Sequence, residues 1–87
     1  MEFQEKIKIF YKTWCGYSQA VLALLDDLGV AYTAIDVTTD PAREAEMVRR
    51  SGRTSVPEIF INDELIGGYD DLRAFVQLGV FDIPMAA

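Results

Sequence analysis

Apolar positions in the first part of the chain change from a short dense run to a helical stripe. The run Ile7–Tyr11 is rich in β-branched side chains, which is typical of an interior strand. In Tyr17–Leu28 the apolar residues recur at helical spacing and mark one buried face: Val21, Leu24, Leu25 and Leu28. Gly29 follows, where a helix end favours left-handed backbone. The pattern therefore predicts a strand followed by a helix.

The same alternation repeats once before the pattern changes. β-Branched and aromatic residues predict a second strand over Val30–Val37. Asp40 followed by proline is a favourable helix start, and the helix is predicted to span Pro41–Arg50 with its C-terminal cap at Ser51–Gly52. A strand, a helix and a second strand in this order imply two parallel strands joined by a right-handed crossover.

The remaining apolar residues predict a hairpin and a last helix. Ile59–Ile61 and Leu65–Ile66 are strand-like, and the turn formers Asn62–Asp63 lie between them. The pair Asp70–Asp71 opens a helix that Gly79 ends. The element order is therefore βαβαββα, which predicts an α/β fold with a four-stranded mixed sheet flanked by helices.

Length and composition limit the architecture and the chemistry. A chain of 87 residues has room for one small domain, so residues 1–87 are predicted to form a single domain. The chain contains one cysteine and no histidine. This composition excludes a disulfide within the chain, a zinc cluster of histidines and cysteines, and histidine-based catalysis.

Charge and hydropathy limit the partners and the compartment. The net charge of −6 at pH 7 argues against nucleic-acid binding, because phosphates require a basic surface. No apolar stretch approaches the ~20 residues of a membrane span, and the charged N-terminus is unlike a signal peptide. A free thiol without an export signal is typical of a reducing compartment, so we expect a cytoplasmic protein with no membrane partner.

Cys15 is the strongest candidate for chemistry. It precedes the first helix, where unpaired backbone N–H groups favour an anionic thiolate. Lys12 adds positive charge, Ser18 can donate a hydrogen bond to the sulfur, and Gly16 leaves room for a partner sulfur. A lone cysteine is more often a buried, inert side chain, but the polar residues before Cys15 argue against burial. Thiol–disulfide exchange is favoured over hydrolysis, since no histidine exists to act as base.

Three segments of the chain resemble the glutaredoxin family. Tyr11–Ser18 (YKTWCGYS) looks like the active-site segment of that family, Ser51–Ile61 (SGRTSVPEIFI) resembles its Thr-Val-Pro segment, and Gly67–Leu72 (GGYDDL) resembles its Gly-Gly-Cys-Asp-Asp segment. The segments occur in family order and spacing, and the likeness runs from about residue 7 to residue 81. The resemblance implies the thioredoxin fold, in agreement with the predicted element order.

The resemblance also implies a site for glutathione as cosubstrate. Cys15 would be the nucleophile, and Lys12 with either Arg43 or Arg53 would hold the glycine carboxylate of glutathione. A basic patch in an otherwise acidic chain suits this anionic tripeptide, and it contains four arginines: Arg43, Arg49, Arg50 and Arg53. For Arg49 and Arg50 a solvated helix face is the preferred interpretation.

Two further segments complete the implied site. Ser55 and Val56 belong to the first of them, in which the Val56 backbone would pair with the cysteinyl part of glutathione. Pro57 would follow a cis peptide bond. The pair Asp70–Asp71, with Asp71 the second residue of the last predicted helix, would bind the γ-glutamyl end at the helix N-terminus, and Tyr17 would pack against the ligand.

The chain departs from dithiol glutaredoxins at Ser18, where they have a second cysteine. A disulfide within the site therefore cannot close, and the resemblance leaves the monothiol route. The Cys15 thiolate would attack the glutathione sulfur of a glutathionylated protein, and a second glutathione would resolve the Cys15–glutathione mixed disulfide. We therefore expect glutathione and glutathionylated proteins as partners, the glutathione reductase system as an indirect partner, and a monomer.

Three alternatives stay open. The sequence Cys15–Ser18 is close to the Cys-Gly-Phe-Ser signature of monothiol glutaredoxins in which two subunits and two glutathione molecules share a [2Fe–2S] cluster. The chain lacks the inserted residues before the active site and the Trp-Pro pair that mark that class. Alternatively, Ser18 replaces a resolving cysteine, and the parent chain is a dithiol enzyme. The third alternative is a non-catalytic adaptor, which would have lost the nucleophile or the groove residues.

Overall fold

The elements of the computed structural model, which describes residues 6–77, follow the predicted order. They are β1 (Ile7–Tyr11), α1 (Gly16–Leu28), β2 (Thr33–Asp36), α2 (Pro41–Ser51), β3 (Glu58–Ile61), β4 (Glu64–Gly67) and α3 (Tyr69–Gln77). The strand order in the sheet is β2-β1-β3-β4. β1 is parallel to β2 and antiparallel to β3, and β3 is antiparallel to β4. The mixed four-stranded sheet and the interior position of β1 are confirmed.

Alternation of apolar side chains along β1 and β3 creates a core on each side of the sheet, because successive residues of a strand point to opposite faces. One cluster joins the sheet to α1 and α3 and contains Ile7, Ile9, Val21, Leu25, Ile59, Ile61 and Leu72. The other joins the sheet to α2 and contains Phe10, Val37, Met47 and Phe60. Helices therefore cover both faces, as predicted.

Cap and turn residues begin and end the elements where the sequence predicts. Asp40 accepts a hydrogen bond from the Arg43 N–H at 3.2 Å, and Pro41 occupies the start of α2. Asn62 and Asp63 have φ values of 53° and 68°, the backbone of a tight two-residue hairpin turn. None of the helices within residues 6–77 is long and apolar enough to cross a membrane.

The second strand is shorter than predicted. β2 spans Thr33–Asp36 rather than Val30–Val37, because it lies at the edge of the sheet and pairs only with β1. The Val30 N–H donates to the Leu25 carbonyl at 3.4 Å, so Val30 belongs to the turn that follows α1 and not to the strand. The other predicted bounds within residues 6–77 agree with the structure to within one residue at each end, and the predicted helix end at Gly79 lies outside the described residues.

Candidate active site

Cys15 caps the N-terminus of α1 and is partly exposed, as the polar residues before it predict. Its sulfur lies 3.7 Å from the Val56 carbonyl oxygen, within range of a hydrogen bond from the thiol. The loop after β1 and the loop before β3 therefore meet at the sulfur. Two large apolar side chains beside it are exposed, Trp14 by 70% and Tyr17 by 64%.

The surroundings of Cys15 favour the thiolate. Partial burial raises the pKa of the Cys15 thiol, but hydrogen bonds from the N–H and hydroxyl of Ser18 and from the Tyr17 N–H lower it, and together they prevail. The charge of Lys12 adds a smaller lowering contribution. The net pKa therefore lies below that of an ordinary thiol, which increases the nucleophilic fraction near neutral pH.

A groove of about 300 Å³ adjoins Cys15, and we call it the Val-Pro groove. Its lining comes from the loop before β3, from the β4–α3 junction and from the first turn of α1: Tyr17, Arg53, Ser55, Val56, Pro57, Glu58, Gly68, Tyr69, Asp70 and Asp71. Of the residues predicted to react or to bind glutathione, Cys15, Lys12 and Arg43 are not part of this lining. The Val56–Pro57 peptide bond is cis, as the resemblance implies.

The side chain of Asp71 is held at the β4–α3 end of the groove by the backbone of Gly68. One of its carboxylate oxygens accepts a hydrogen bond from the Gly68 N–H at 3.0 Å. Gly67 has φ of 124°, and a side chain at this position would collide with the Asp71 carboxylate. The glycine therefore lets Asp71 fold back over the start of α3, where unpaired N–H groups favour an anion.

Comparisons with known proteins identify the architecture. The Glutaredoxin family model matches residues 7–66 of the chain. Glutaredoxin 3 of Escherichia coli K12 is 41% identical over 76 residues, which cover 87% of this chain and 92% of that protein. The chain belongs to the glutaredoxin family.

Other relatives and solved structures agree. The crystal structure of the buckwheat glutaredoxin–glutathione complex matches with a TM-score of 0.76 and 32% identity, over 86% of this chain and 71% of that one. A protein of Rickettsia typhi named "Probable monothiol glutaredoxin 2" is 35% identical over 75% of this chain and 59% of its own length. This glutaredoxin therefore has the thioredoxin fold and is a glutathione-dependent thiol–disulfide oxidoreductase.

All three candidate carboxylate-binding residues of this glutaredoxin lie within ion-pair distance of an acidic side chain. Lys12 Nζ lies 3.0 Å from the Glu44 carboxylate and 5.5 Å from the centre of the Trp14 ring. Arg43 lies 3.0 Å from the Glu46 carboxylate. Arg53 alone of the three lines the Val-Pro groove, which favours it for an anionic ligand.

The predicted basic patch is not one free surface. Arg50 contacts the carboxylates of Glu46 and Asp63 at 3.4 and 3.2 Å and lies over the Phe60 ring, 4.8 Å from its centre. The interpretation of Arg50 as a simple solvated residue is therefore wrong, because its guanidinium ties α2 to the β3–β4 hairpin. Spacing along a helix cannot show which cations a distant hairpin neutralises.

Ser18 links the sulfur to the loop before it. Its side chain is fully buried, and its hydroxyl accepts a hydrogen bond from the Lys12 N–H at 3.3 Å while it interacts with the Cys15 sulfur. Dithiol glutaredoxins have their second sulfur at this position. Here the position supplies a hydrogen bond to the thiolate and no second thiol.

Sequence reasoning missed the residues that hold the active-site loop. The Thr13 N–H donates to the Thr38 hydroxyl at 2.9 Å, and the Gln19 amide donates to the Thr13 carbonyl at 2.7 Å. The Thr38 N–H in turn donates to the Asp36 carboxylate at 2.8 Å. These polar residues have no distinctive spacing, because the contact joins loops that are distant in sequence.

Sequence reasoning also missed Glu58, the first residue of β3. Its side chain is 0% exposed, so a carboxylate is buried at the start of a strand whose other residues are all apolar. Burial raises the pKa of Glu58 and outweighs the lowering effects of Ser55 and Arg53, and the charge of Asp71 adds to the rise. A single charged residue directly after Val-Pro, in an otherwise apolar strand, was the available signal.

We expect replacement of Ser18 with alanine to raise the pKa of the Cys15 thiol. The variant loses the hydroxyl hydrogen bond, whereas Lys12→Met loses only the smaller contribution of a charge. Alkylation of Cys15 by iodoacetamide, followed against pH, measures both pKa values. The Ser18→Ala profile should move to higher pH by more than the Lys12→Met profile. The reverse order would show that charge, not the hydroxyl, controls the thiolate.

Proposed function

We propose that this glutaredoxin reduces protein–glutathione mixed disulfides by a monothiol mechanism through Cys15. The observation that carries the proposal is the pairing of one activated thiol with the Ser18 hydroxyl at the position where a resolving sulfur would stand. The Cys15 thiolate attacks the glutathione sulfur, the protein–glutathione disulfide breaks, and the protein leaves as a thiolate. The new disulfide joins Cys15 to glutathione.

A second glutathione completes the cycle. Its thiolate attacks the glutathione sulfur bound to Cys15, forms glutathione disulfide and releases the Cys15 thiolate. The net reaction thus consumes one glutathione thiol, and the glutathione part removed from the protein becomes the other half of glutathione disulfide. The glutathione reductase system then returns glutathione disulfide to the thiol form.

The Val-Pro groove orients the glutathione part in this proposal. The Val56 backbone pairs with the cysteinyl residue of glutathione, and its carbonyl lies 3.7 Å from the Cys15 sulfur, so the bound sulfur is brought beside the nucleophile. Asp70 and Asp71 at the start of α3 hold the γ-glutamyl end. Arg53 binds the glycine carboxylate, and Tyr17 packs against the ligand. Attack is thereby directed to the glutathione sulfur rather than to the protein sulfur.

A coupled assay tests the proposal. The substrate is a glutathionylated peptide, and the assay contains glutathione, glutathione reductase and NADPH, whose oxidation reports turnover. We expect turnover that saturates with the peptide and requires glutathione. A folded protein that releases no peptide thiol in this assay would contradict the proposal.

Binding of a [2Fe–2S] cluster is the second candidate function, favoured by the partly exposed thiol of a Cys-Gly-Tyr-Ser motif. Such a cluster requires four thiolate or equivalent ligands, and one chain has a single cysteine. Two chains and two glutathione molecules would be needed to complete the ligand set. Anaerobic reconstitution with iron, sulfide and glutathione tests this candidate: a brown dimer supports it, and a colourless monomer with full turnover contradicts it.

A further inference from the structure

The carboxylate of Glu58 contacts two residues of the loop that precedes it. Glu58 Oε2 accepts a hydrogen bond from the Ser55 hydroxyl at 2.9 Å. Glu58 Oε1 lies 3.7 Å from Arg53 Nη1, which is an ion-pair distance but too long for a hydrogen bond. Within residues 6–77, Glu58 Oε1 is the one buried side-chain oxygen or nitrogen without a hydrogen-bond partner.

In this buried environment the ionised form of Glu58 is energetically unfavourable unless a cation faces the carboxylate. A buried carboxylate loses its hydration and recovers free energy only from partners with opposite charge or hydrogen bonds. Arg53 is the cation that faces Glu58, and its side chain is half-exposed at 48%. The guanidinium has five N–H donors in a planar fork, so contact with Glu58 leaves other donors free for a ligand.

Because of the charges lining the Val-Pro groove, binding of a ligand carboxylate depends on the position of Arg53. Glu58, Asp70 and Asp71 are acidic, and Arg53 is the single cation of the lining within residues 6–77. A ligand carboxylate is therefore repelled unless the guanidinium stands close to it. A long, half-exposed arginine has many rotamers, and restricting them before binding improves affinity.

We propose that Glu58 is a positioning residue whose buried carboxylate holds Arg53 at the groove, ready for the glycine carboxylate of glutathione. Glu58 does not touch the ligand and acts through Arg53. The inference rests on the proposed function, since it assigns Arg53 to that carboxylate. It predicts that loss of the Glu58 charge weakens ligand binding and leaves the chemistry at Cys15 unchanged.

Binding of S-methylglutathione, an unreactive analogue, tests the inference by isothermal titration calorimetry. We expect Glu58→Gln to raise the dissociation constant about threefold, the size of a partly exposed charge contact. Arg53→Gln should weaken binding by at least as much. The double variant should bind like Arg53→Gln alone, because Glu58 acts only through Arg53. In the deglutathionylation assay, Glu58→Gln should raise KM with little change in kcat.

Controls separate positioning from a general loss of structure. Glu64→Gln removes an exposed carboxylate from the adjacent strand and should leave binding unchanged. If Glu58→Gln unfolds, Glu58→Met removes the charge while keeping an apolar side chain of similar volume and serves the same comparison. Thermal unfolding establishes that each variant is folded.

Three results would overturn the inference: unchanged binding by the Glu58 variant, tighter binding, or the same threefold loss in the Arg53→Gln background. Tighter binding would mean that Glu58 competes with the ligand for Arg53. If the wild type itself neither binds S-methylglutathione nor turns over, the proposed function fails. If the wild type does both and only the Glu58 effect is missing, the positioning role alone fails.

Discussion

Replacing Cys15 with serine should reduce turnover of a glutathionylated peptide by at least about a hundredfold, because the covalent intermediate cannot form. A serine hydroxyl near neutral pH is not a thiolate and does not exchange with a disulfide. The structure should be preserved, since the residue is partly exposed at the N-cap of α1, where serine is favoured. The coupled NADPH assay and thermal unfolding measure the two effects.

The Cys15→Ala variant is the matched control for this result. It lacks the nucleophile as well as a side chain able to cap α1, so it should be equally inactive and less stable than Cys15→Ser by about 1 kcal/mol. Turnover by either variant within tenfold of the wild type would exclude Cys15 as the nucleophile. Loss of folding in both would instead assign the residue a structural role.

Replacing Gly67 with alanine should have the second large effect, on stability and ligand binding together. The backbone has φ of 124°, which a residue with a side chain rarely adopts, and the added Cβ would displace the Asp71 carboxylate from the Gly68 N–H. We expect a loss of about 2–4 kcal/mol in the free energy of unfolding. Urea unfolding measures the stability, and calorimetry with S-methylglutathione should show weaker binding.

Gly52→Ala separates these two effects. Gly52 also has a positive φ, 74°, at the end of α2, but no atom lies within 4 Å of the added Cβ. The Gly52→Ala variant should therefore lose only the free energy of the backbone strain, about 1–2 kcal/mol, from its stability. Its ligand binding should be unchanged. Equal binding losses in the two variants would show that Asp71 is not the cause.

The positions of secondary-structure elements are predicted correctly where local sequence signals agree with the packing of the fold. The dense run of β1, the helical stripe of α1 and the proline after Asp40 each specify an element, and each appears at its predicted place. β2 was overextended because β propensity does not reveal that a strand lies at the edge of a sheet. The single-domain prediction for residues 1–87, the monomer and the cytoplasmic location stay predictions.

The candidate site was predicted in part, for a physical reason. Motifs give residues that are close in sequence, such as Cys15 and Ser18, and the Val-Pro groove gathers most of the residues that the resemblance implies. Sequence motifs do not show the partners of long charged side chains, so they do not predict the Lys12–Glu44 ion pair. Neither does sequence tell whether Ser18 replaces a resolving cysteine, since the hydroxyl fits the buried position by itself.

The most direct test of the monothiol account follows the mixed disulfide itself. The wild-type protein is mixed with a glutathionylated peptide without free glutathione, and intact-mass spectrometry follows the chain. The account predicts one glutathione on Cys15, formed as the peptide thiol is released, and its removal by added glutathione at a rate no slower than turnover. Turnover without this adduct, or an adduct that glutathione does not remove, would contradict the account.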